Sequence, residues 1–325
     1  MQKLKVLLLP IIEPPISSPW CDDVVSEVGD HHDLKVFDRN KPLAAQFGEI
    51  DVVIDHGGKV ATREMMDAAV KARLWQILGT GFETFDLDYI RGRGIPVANC
   101  PGQFSSVPLA ETAMMYMLML AGHYRERLAN FREGNMHVPV GRELDGAHLV
   151  VLGFGASGQE LARRARAFGM KISGIDVRKI EQLTLDEIQP DFMGSPDDLD
   201  RLIATCDYLS LHLHVNDATR QTIDERRLGL MPQTACLINI ARGELVDQEA
   251  LFCALEAGRL GGAGLDVFTQ EPPDRDHPVF RLPNVVVTPH TAGATNRTSR
   301  RRAQCAAENV NRVAKGLEPL YRVDQ

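Results

Sequence analysis

The chain has 325 residues, with 36 Lys and Arg against 44 Asp and Glu, a net charge of −8 with the histidines neutral. That balance leaves no electrostatic case for nucleic acid or an anionic membrane as a partner. With 44% hydrophobic and 25% charged residues, the composition is that of a globular protein of about two domains.

The N-terminal MQKLKVLLLPII puts two lysines before a short apolar run. Pro10 interrupts the run and no small-residue cleavage site follows, so it reads as a first buried strand rather than a signal peptide. LKVFD (34–38), DVVID (51–55), LWQILG (74–79) and IPVANC (95–100) read as further strands. A helix is expected over Arg63 to Lys71, with Thr62 as its N-cap. One long helical pattern runs from Ser106 to Arg132. Its Met114, Met115, Met117 and Met119 read as core filling. Its apolar part, Ala110 to Gly122, is too short to span a bilayer.

A second series begins near residue 147: AHLVVLG, MKISGID, DYLSLHLH, ACLINIA, GAGLDVF and NVVVTPH. Strands alternating with helices imply parallel sheets covered on both faces. Two such series imply two doubly wound α/β domains, with hinges at Cys100-Pro101-Gly102 and near Pro289. Arg297 with Arg300 to Arg302 reads as a solvated helix face. Cys21, Cys100, Cys206, Cys236, Cys253 and Cys305 form no CxxC pair, and several sit in apolar runs. That usage suits a reducing compartment, and the expected location is the cytoplasm.

VVLGFGASG (150–158) carries Gly153, Gly155 and Gly158 at G-x-G-x-x-G spacing between a strand and the helical GQELARRARAFG. The glycines permit a tight turn, close approach to a pyrophosphate, and close packing of the helix on the sheet. The helix N-terminus favours the anion. Asp176, 18 residues after Gly158, stands where an acid accepts hydrogen bonds from a ribose and repels the 2′-phosphate of NADP. NAD is therefore the expected cofactor, with Arg178 and Lys179 close enough to soften the preference. No metal is expected.

Three later segments look chemical. LINIARGELVD (237–247) brings Arg242 to a strand end, where it can fork onto a carboxylate or merely pair with Glu244 or Asp247. GAGLDVFTQEPP (262–273) holds Asp266 in a strand pattern and Glu271 before two prolines; the plain alternative for Glu271 is an exposed loop acid. NVVVTPHTAGAT (284–295) ends an apolar strand at His290, a proton donor near neutral pH.

With ARGELVD, LDVFTQEPP and TPHTAGAT in this order after the glycine loop, and GIPVANCPG and AETAMMYMLMLA before it, the chain resembles the D-isomer-specific 2-hydroxyacid dehydrogenases over nearly its whole length. The resemblance implies a substrate domain made of residues 1–101 and 290–325, with an NAD-binding Rossmann domain, 102–289, inserted between. It implies that His290 is the acid/base, that Glu271 pairs with its imidazole and favours the imidazolium, and that Arg242 holds the substrate carboxylate. Ala156 and Ser157 would offer N–H groups to the pyrophosphate. Ile240, Ala241, Arg242, Asp266 and the loop from His290 to Gly293 would line the nicotinamide side, with Thr80 reaching the cofactor from the other domain. Gly57 and Gly58, in IDHGGKV, would bind the substrate carboxylate. Phosphoglycerate dehydrogenases carry an Arg in that loop; here Asp55 stands at the matching position, beside His56. That departure points to a small unphosphorylated 2-oxo acid, such as glyoxylate, hydroxypyruvate or pyruvate. Formate dehydrogenases of the same fold have a Gln at the position of Glu271. Met136-His137 departs from the Trp of many relatives. The alternatives are a 3-phosphoglycerate dehydrogenase and, without catalysis, an NAD(H)-sensing protein like the family's corepressors. The resemblance also implies a homodimer through the NAD domains.

Overall fold

The apolar runs and helical segments form two α/β units in the computed structural model, which describes residues 2–11, 19–57 and 60–325. Gly58 lies outside the described residues. The first unit comprises Met1–Phe104 and Ala294–Gln325, the second Ser105–Gly293.

The first unit runs β1 (Lys5–Leu9), α1 (Pro19–Gly29), β2 (Asp33–Val36), α2 (Leu43–Phe47), β3 (Val52–Asp55), α3 (Arg63–Ala68), β4 (Leu74–Ile77), α4 (Leu87–Gly92) and β5 (Val97–Ala98). The strands are parallel, in the order β2-β1-β3-β4-β5. Every residue of β3 and β4 is buried, which is why these strands read as mainly apolar runs instead of alternating ones, with Asp55 and Gln76 as their buried polar members. Thr62 caps α3 by accepting a hydrogen bond from the Met65 N–H at 3.3 Å. The helix stops at Ala68 rather than Lys71, because Ala69 turns out of helical geometry at φ −81°, ψ 48°.

The second unit opens with α5 (Ser106–Ala121) and α6 (Tyr124–Glu133). The sequence pattern suggests one helix here; the structure has two, because His123 adopts the left-handed conformation at φ 49°. There follow β6 (His148–Leu152), α7 (Ala156–Ala167), β7 (Lys171–Ile175), α8 (Gln182–Ile188), β8 (Phe192–Gly194), α9 (Leu199–Ile203), β9 (Tyr208–Leu211), α10 (Glu225–Leu230), β10 (Cys236–Asn239), α11 (Gln248–Glu256), β11 (Gly262–Leu265) and β12 (Val285–Val287). The parallel sheet has the order β12-β11-β10-β9-β6-β7-β8. Its order reverses between β6 and β9, and ligands bind at the carboxyl ends of strands at such a switch point.

Glycines let α5 lie close on this sheet. A Cβ on Gly264 of β11 would stand 2.6 Å from Tyr116, and one on Gly262 would stand 2.9 Å from Leu120. Met114 and Met117 face this packing and are buried. Met115 is 40% exposed, so the expectation that it fills the core is corrected: it lies on the opposite face of α5.

The chain then returns to the first unit as α12 (Asn296–Ala314), capped by Thr295, and packs on α1 and β4. Buried Asn309 donates to Gln76 Oε1 on β4 at 2.7 Å, and its Oδ1 accepts from the Leu320 N–H at 2.7 Å. The basic run on this helix is not one solvated face. Arg297 and Arg300 are exposed, but Arg301 Nε donates to the Phe104 carbonyl at 3.0 Å, and the Arg302 guanidinium lies over the Trp20 ring. Successive helical residues are about 100° apart, so three in a row cannot share one face.

All six cysteines are free thiols. No helix among the described residues is long and apolar enough to cross a membrane, and no group of three His, Cys, Asp or Glu among them could hold a metal ion.

Candidate active site

Gly153 follows β6 with φ 95°, and a Cβ there would stand 2.6 Å from the His212 carbonyl oxygen after β9. A side chain at Gly158 would stand 2.2 Å from the Gly153 carbonyl. Two of the three glycines are thus demanded by backbone approach at the switch point. The N-cap of α7 is Gly155, and no side chain caps its first turn. Ala156 and Ser157 occupy that turn, where helix N–H groups have no intrahelical acceptor and attract an anion.

Asp176 follows β7 directly. One carboxylate oxygen accepts from the Phe154 N–H at 2.9 Å, which ties the acid to the glycine loop. Arg178 approaches the same carboxylate by its backbone N–H, Nε and Nη2 at 2.9 to 3.0 Å. Burial alone raises the carboxyl pKa, but the Arg178 bonds outweigh it and hold the acid below its ordinary range. Any further donor to Asp176 must share the carboxylate with Arg178 or displace it.

His212 was not singled out by the sequence patterns. Its Nδ1 pairs with Ser157 Oγ and its Nε2 with Ser210 Oγ, both at 2.9 Å. Burial holds its pKa down to about 3. A neutral imidazole therefore links the start of α7 to β9.

On the other half of the sheet, Asn239 ends β10 and organises the turn after it. Its amide donates to the Arg242 carbonyl at 2.8 Å and accepts from the Ala241 N–H at 3.1 Å. Ile240 is buried. The Arg242 side chain donates to the Ala241 carbonyl at 2.6 Å. Gly243 is buried so tightly that a Cβ would stand 2.0 Å from the Phe268 carbonyl carbon. That contact sets the β10 turn against the turn carrying Glu271.

His290 and Glu271 meet. The imidazole Nδ1 lies 2.8 Å and 3.0 Å from the two carboxylate oxygens. Glu271 Oε1 also accepts from the Phe268 N–H at 3.3 Å, and the acid's side chain is only 24% exposed. It is not the freely solvated loop acid that its neighbours in sequence suggest. His290 has φ 55°, unusual for a residue with a side chain.

Asp266 stands one residue beyond β11 rather than inside it, and it fixes the His290 loop. Its carboxylate accepts from the Thr291 and Ala292 N–H groups, both at 2.8 Å, and from Thr288 Oγ1; its carbonyl accepts from the His290 N–H at 2.8 Å. Thr288 Oγ1 also meets the hydroxyl of Tyr116 from α5. Burial raises the pKa of Asp266 and of Tyr116. Asp266 was expected along the nicotinamide side; both its oxygens are engaged by the loop. Gly293 closes the loop, near Ser105. Tyr116 and Thr288 carried no signal in the sequence, lying in runs that read as packing.

In the first unit, Thr80 Oγ1 donates to the Cys100 carbonyl at 3.0 Å. Asp55 is fully buried and accepts from Trp75 Nε1 and the Gly57 N–H, both at 3.3 Å. Two expectations change here. Asp55 does not project into the loop as a repelling charge, and the Gly57 amide is turned toward Asp55.

The fold, the glycine loop, the acid after β7 and the His–Glu pair define a dinucleotide-dependent oxidoreductase unit. The family model for the D-isomer specific 2-hydroxyacid dehydrogenase NAD binding domain matches residues 114–292. The chain belongs to that family, and NAD is its cofactor. It is 32% identical to a glyoxylate reductase of Korarchaeum cryptofilum over 312 residues, 93% of this chain and 92% of that protein. It is 33% identical to a D-3-phosphoglycerate dehydrogenase of Methanocaldococcus jannaschii over 84% of this chain, but it spans only about half, 52%, of that protein. Among solved structures it resembles D-lactate dehydrogenase from Aquifex aeolicus complexed with NAD and lactic acid, with a TM-score of 0.82 and 26% identity, covering 98% of this chain and 99% of that one.

Proposed function

We propose that this chain reduces a small unphosphorylated 2-oxo acid to its D-2-hydroxy acid, with His290, Glu271 and Arg242 as the catalytic set. The observation that carries the reading is the His290–Glu271 pair at 2.8 Å, held by Asp266 in the same unit as the glycine loop.

NAD in its reduced form supplies the hydride. With Nδ1 engaged by Glu271, His290 has Nε2 left to give a proton to the substrate carbonyl oxygen as it becomes an alcohol. Glu271 fixes the ring's orientation and leaves Nε2 as the nitrogen that faces away from the pair. Arg242 exchanges its bond to the Ala241 carbonyl for the substrate carboxylate, which orients the carbonyl and offsets developing charge. The α7 N-terminus holds the pyrophosphate and Asp176 the ribose. Ile240, Ala241 and the loop from His290 to Gly293 pack against the nicotinamide. Gly57 and Gly58 bind the carboxylate, once Gly57 gives up its long bond to Asp55.

The second unit, Ser105–Gly293, acts as the NAD domain, and the first, Met1–Phe104 with Ala294–Gln325, as the substrate domain, so the boundaries expected at 101/102 and 289/290 move by three and four residues. The active form is a homodimer in the cytoplasm. Supporting the dimer, α5, α6 and the segment after them expose Met115, Leu118, Phe131, Met136, Val138 and Val140, an unusual density of apolar side chains for one stretch of surface. Free thiols, four of them buried, support a reducing compartment.

The test follows NADH absorbance with glyoxylate, hydroxypyruvate, pyruvate and 3-phosphohydroxypyruvate. Turnover of the first three is expected to exceed that of the phosphorylated acid. The reverse order refutes the substrate assignment, and tight NADH binding with no turnover refutes the catalytic one.

A further inference from the structure

The sheet of the first unit also reverses its strand order, with β2 on one side of β1 and β3, β4 and β5 on the other. The carboxyl ends of β1 and β3 therefore form a second switch point, and crevices at such points take ligands. Three side chains gather there that nothing above uses: Trp20 from the start of α1, His56 directly after β3, and Arg302 from α12.

The His56 N–H donates to the Leu9 carbonyl at the end of β1, at 3.2 Å, which anchors the residue at the switch point. Its imidazole meets the Trp20 ring edge-on, with centroids 5.2 Å apart. The Arg302 guanidinium carbon lies 5.5 Å from the centroid of the same indole. His56 is 8% exposed, and its Nδ1 has no hydrogen-bond partner among the described residues. A buried polar nitrogen left without a partner is destabilising and calls for an explanation. Burial, then the positive charge of Arg302, hold the His56 pKa down to about 4, so the ring is neutral near pH 7. The cluster thus combines an aromatic wall, one fixed cation and one unfilled imidazole nitrogen, next to Gly57.

We propose that Trp20, His56 and Arg302 form the subsite for the far end of the substrate, and that the 2-oxo acid it selects ends there in a second carboxylate. The inference rests on the reductase reading and on the assignment of the Gly57 loop to the substrate. A planar carboxylate suits the guanidinium fork, and its remaining lone pairs suit an Nδ1–H donor. The indole can pack against the intervening methylene groups. A single cation matches a carboxylate better than the dianion of a phosphate.

Chain-length pairs test this by NADH oxidation: oxaloacetate against 2-oxobutyrate, and 2-oxoglutarate against 2-oxopentanoate. In the wild type, kcat/KM for at least one dicarboxylate is expected to exceed that of its neutral partner by about 10-fold or more. Arg302→Met should abolish that ratio while leaving the neutral acids and pyruvate within roughly 3-fold of wild type. A neutral acid equalling or beating both dicarboxylates, a uniform loss across all acids in Arg302→Met, or 3-phosphohydroxypyruvate as the best substrate overturns the inference. A second measurement does not depend on turnover or on the variant. Glutarate should shift the His56 imidazole resonances of the wild-type protein and butyrate should not; equal or absent shifts overturn the subsite. If no 2-oxo acid is reduced, the reductase reading fails, and the glutarate titration still decides what the cluster binds.

Discussion

Asp266→Asn probes how the His290 loop is held. The aspartate oxygens receive two backbone N–H groups at 2.8 Å and the Thr288 hydroxyl. An asparagine keeps one oxygen and turns an NH2 toward either the Thr291 or the Ala292 N–H. One hydrogen bond to a charged acceptor is lost and one buried donor is left unpaired, which together cost about 2–4 kcal/mol. Relief of the burial that raises the Asp266 pKa offsets part of this, leaving a net loss of roughly 2 kcal/mol. The same loop holds His290 at φ 55°, a strain of about 1 kcal/mol that the anchor must outweigh. A loosened anchor lets His290 leave this geometry. The variant is expected to lose about 10- to 100-fold in kcat, with NADH affinity by fluorescence within about 3-fold, because the residues proposed to hold the phosphate and ribose lie across the sheet, at the start of α7 and after β7. Its thermal midpoint should fall by about 4–8 °C. A kcat within 2-fold of wild type, despite a lowered midpoint, would refute the view that Asp266 positions the catalytic loop.

Other variants separate the remaining roles. His290→Ala should lower kcat by about 10²- to 10⁴-fold with NADH affinity near wild type, and retained turnover in stopped-flow assays would remove it from its role. Arg178→Ala should free Asp176 for the ribose and lower the KM for NADH a few-fold, while weakening any use of NADPH; a raised NADH KM would show that Arg178 binds the cofactor itself. The sign for His212 follows from its lowered folded pKa of about 3 against an ordinary 6.5: the unfolded chain binds more protons between those values, so stability falls as pH drops through that window. Urea unfolding should show up to about 2 kcal/mol less stability from this group at pH 5 than at pH 7, and His212→Gln should show a smaller drop.

The residues that make covalent-scale demands on the backbone were readable from the sequence. Gly153 and Gly158 are glycines because of what a Cβ would strike, and Asp176 falls at the next strand end because a parallel β-α-β unit has a fixed length. The buried strands were readable because both faces are covered. What was hidden depends on three-dimensional partners. The break at His123 lies inside a continuous helical pattern. Phe192–Gly194 is too short to show a period. Asp266, Thr288 and Tyr116 form one network from segments 172 residues apart at the widest. Arg302 reads as one more surface charge until α12 is laid on α1.

That last packing bears on how the protein is made. Unit one needs α12, which lies some 270 residues beyond α1, so its core can close only after the second unit has left the ribosome. At about 5–20 residues per second, the nascent N-terminal segment waits on the order of 10–50 s with the apolar side of α1 bare, while the contiguous second unit can fold first. Chaperone demand should therefore track translation of residues 105–293, and a chain stopped short of Asn296 should aggregate through its N-terminal third while its cofactor unit is already folded.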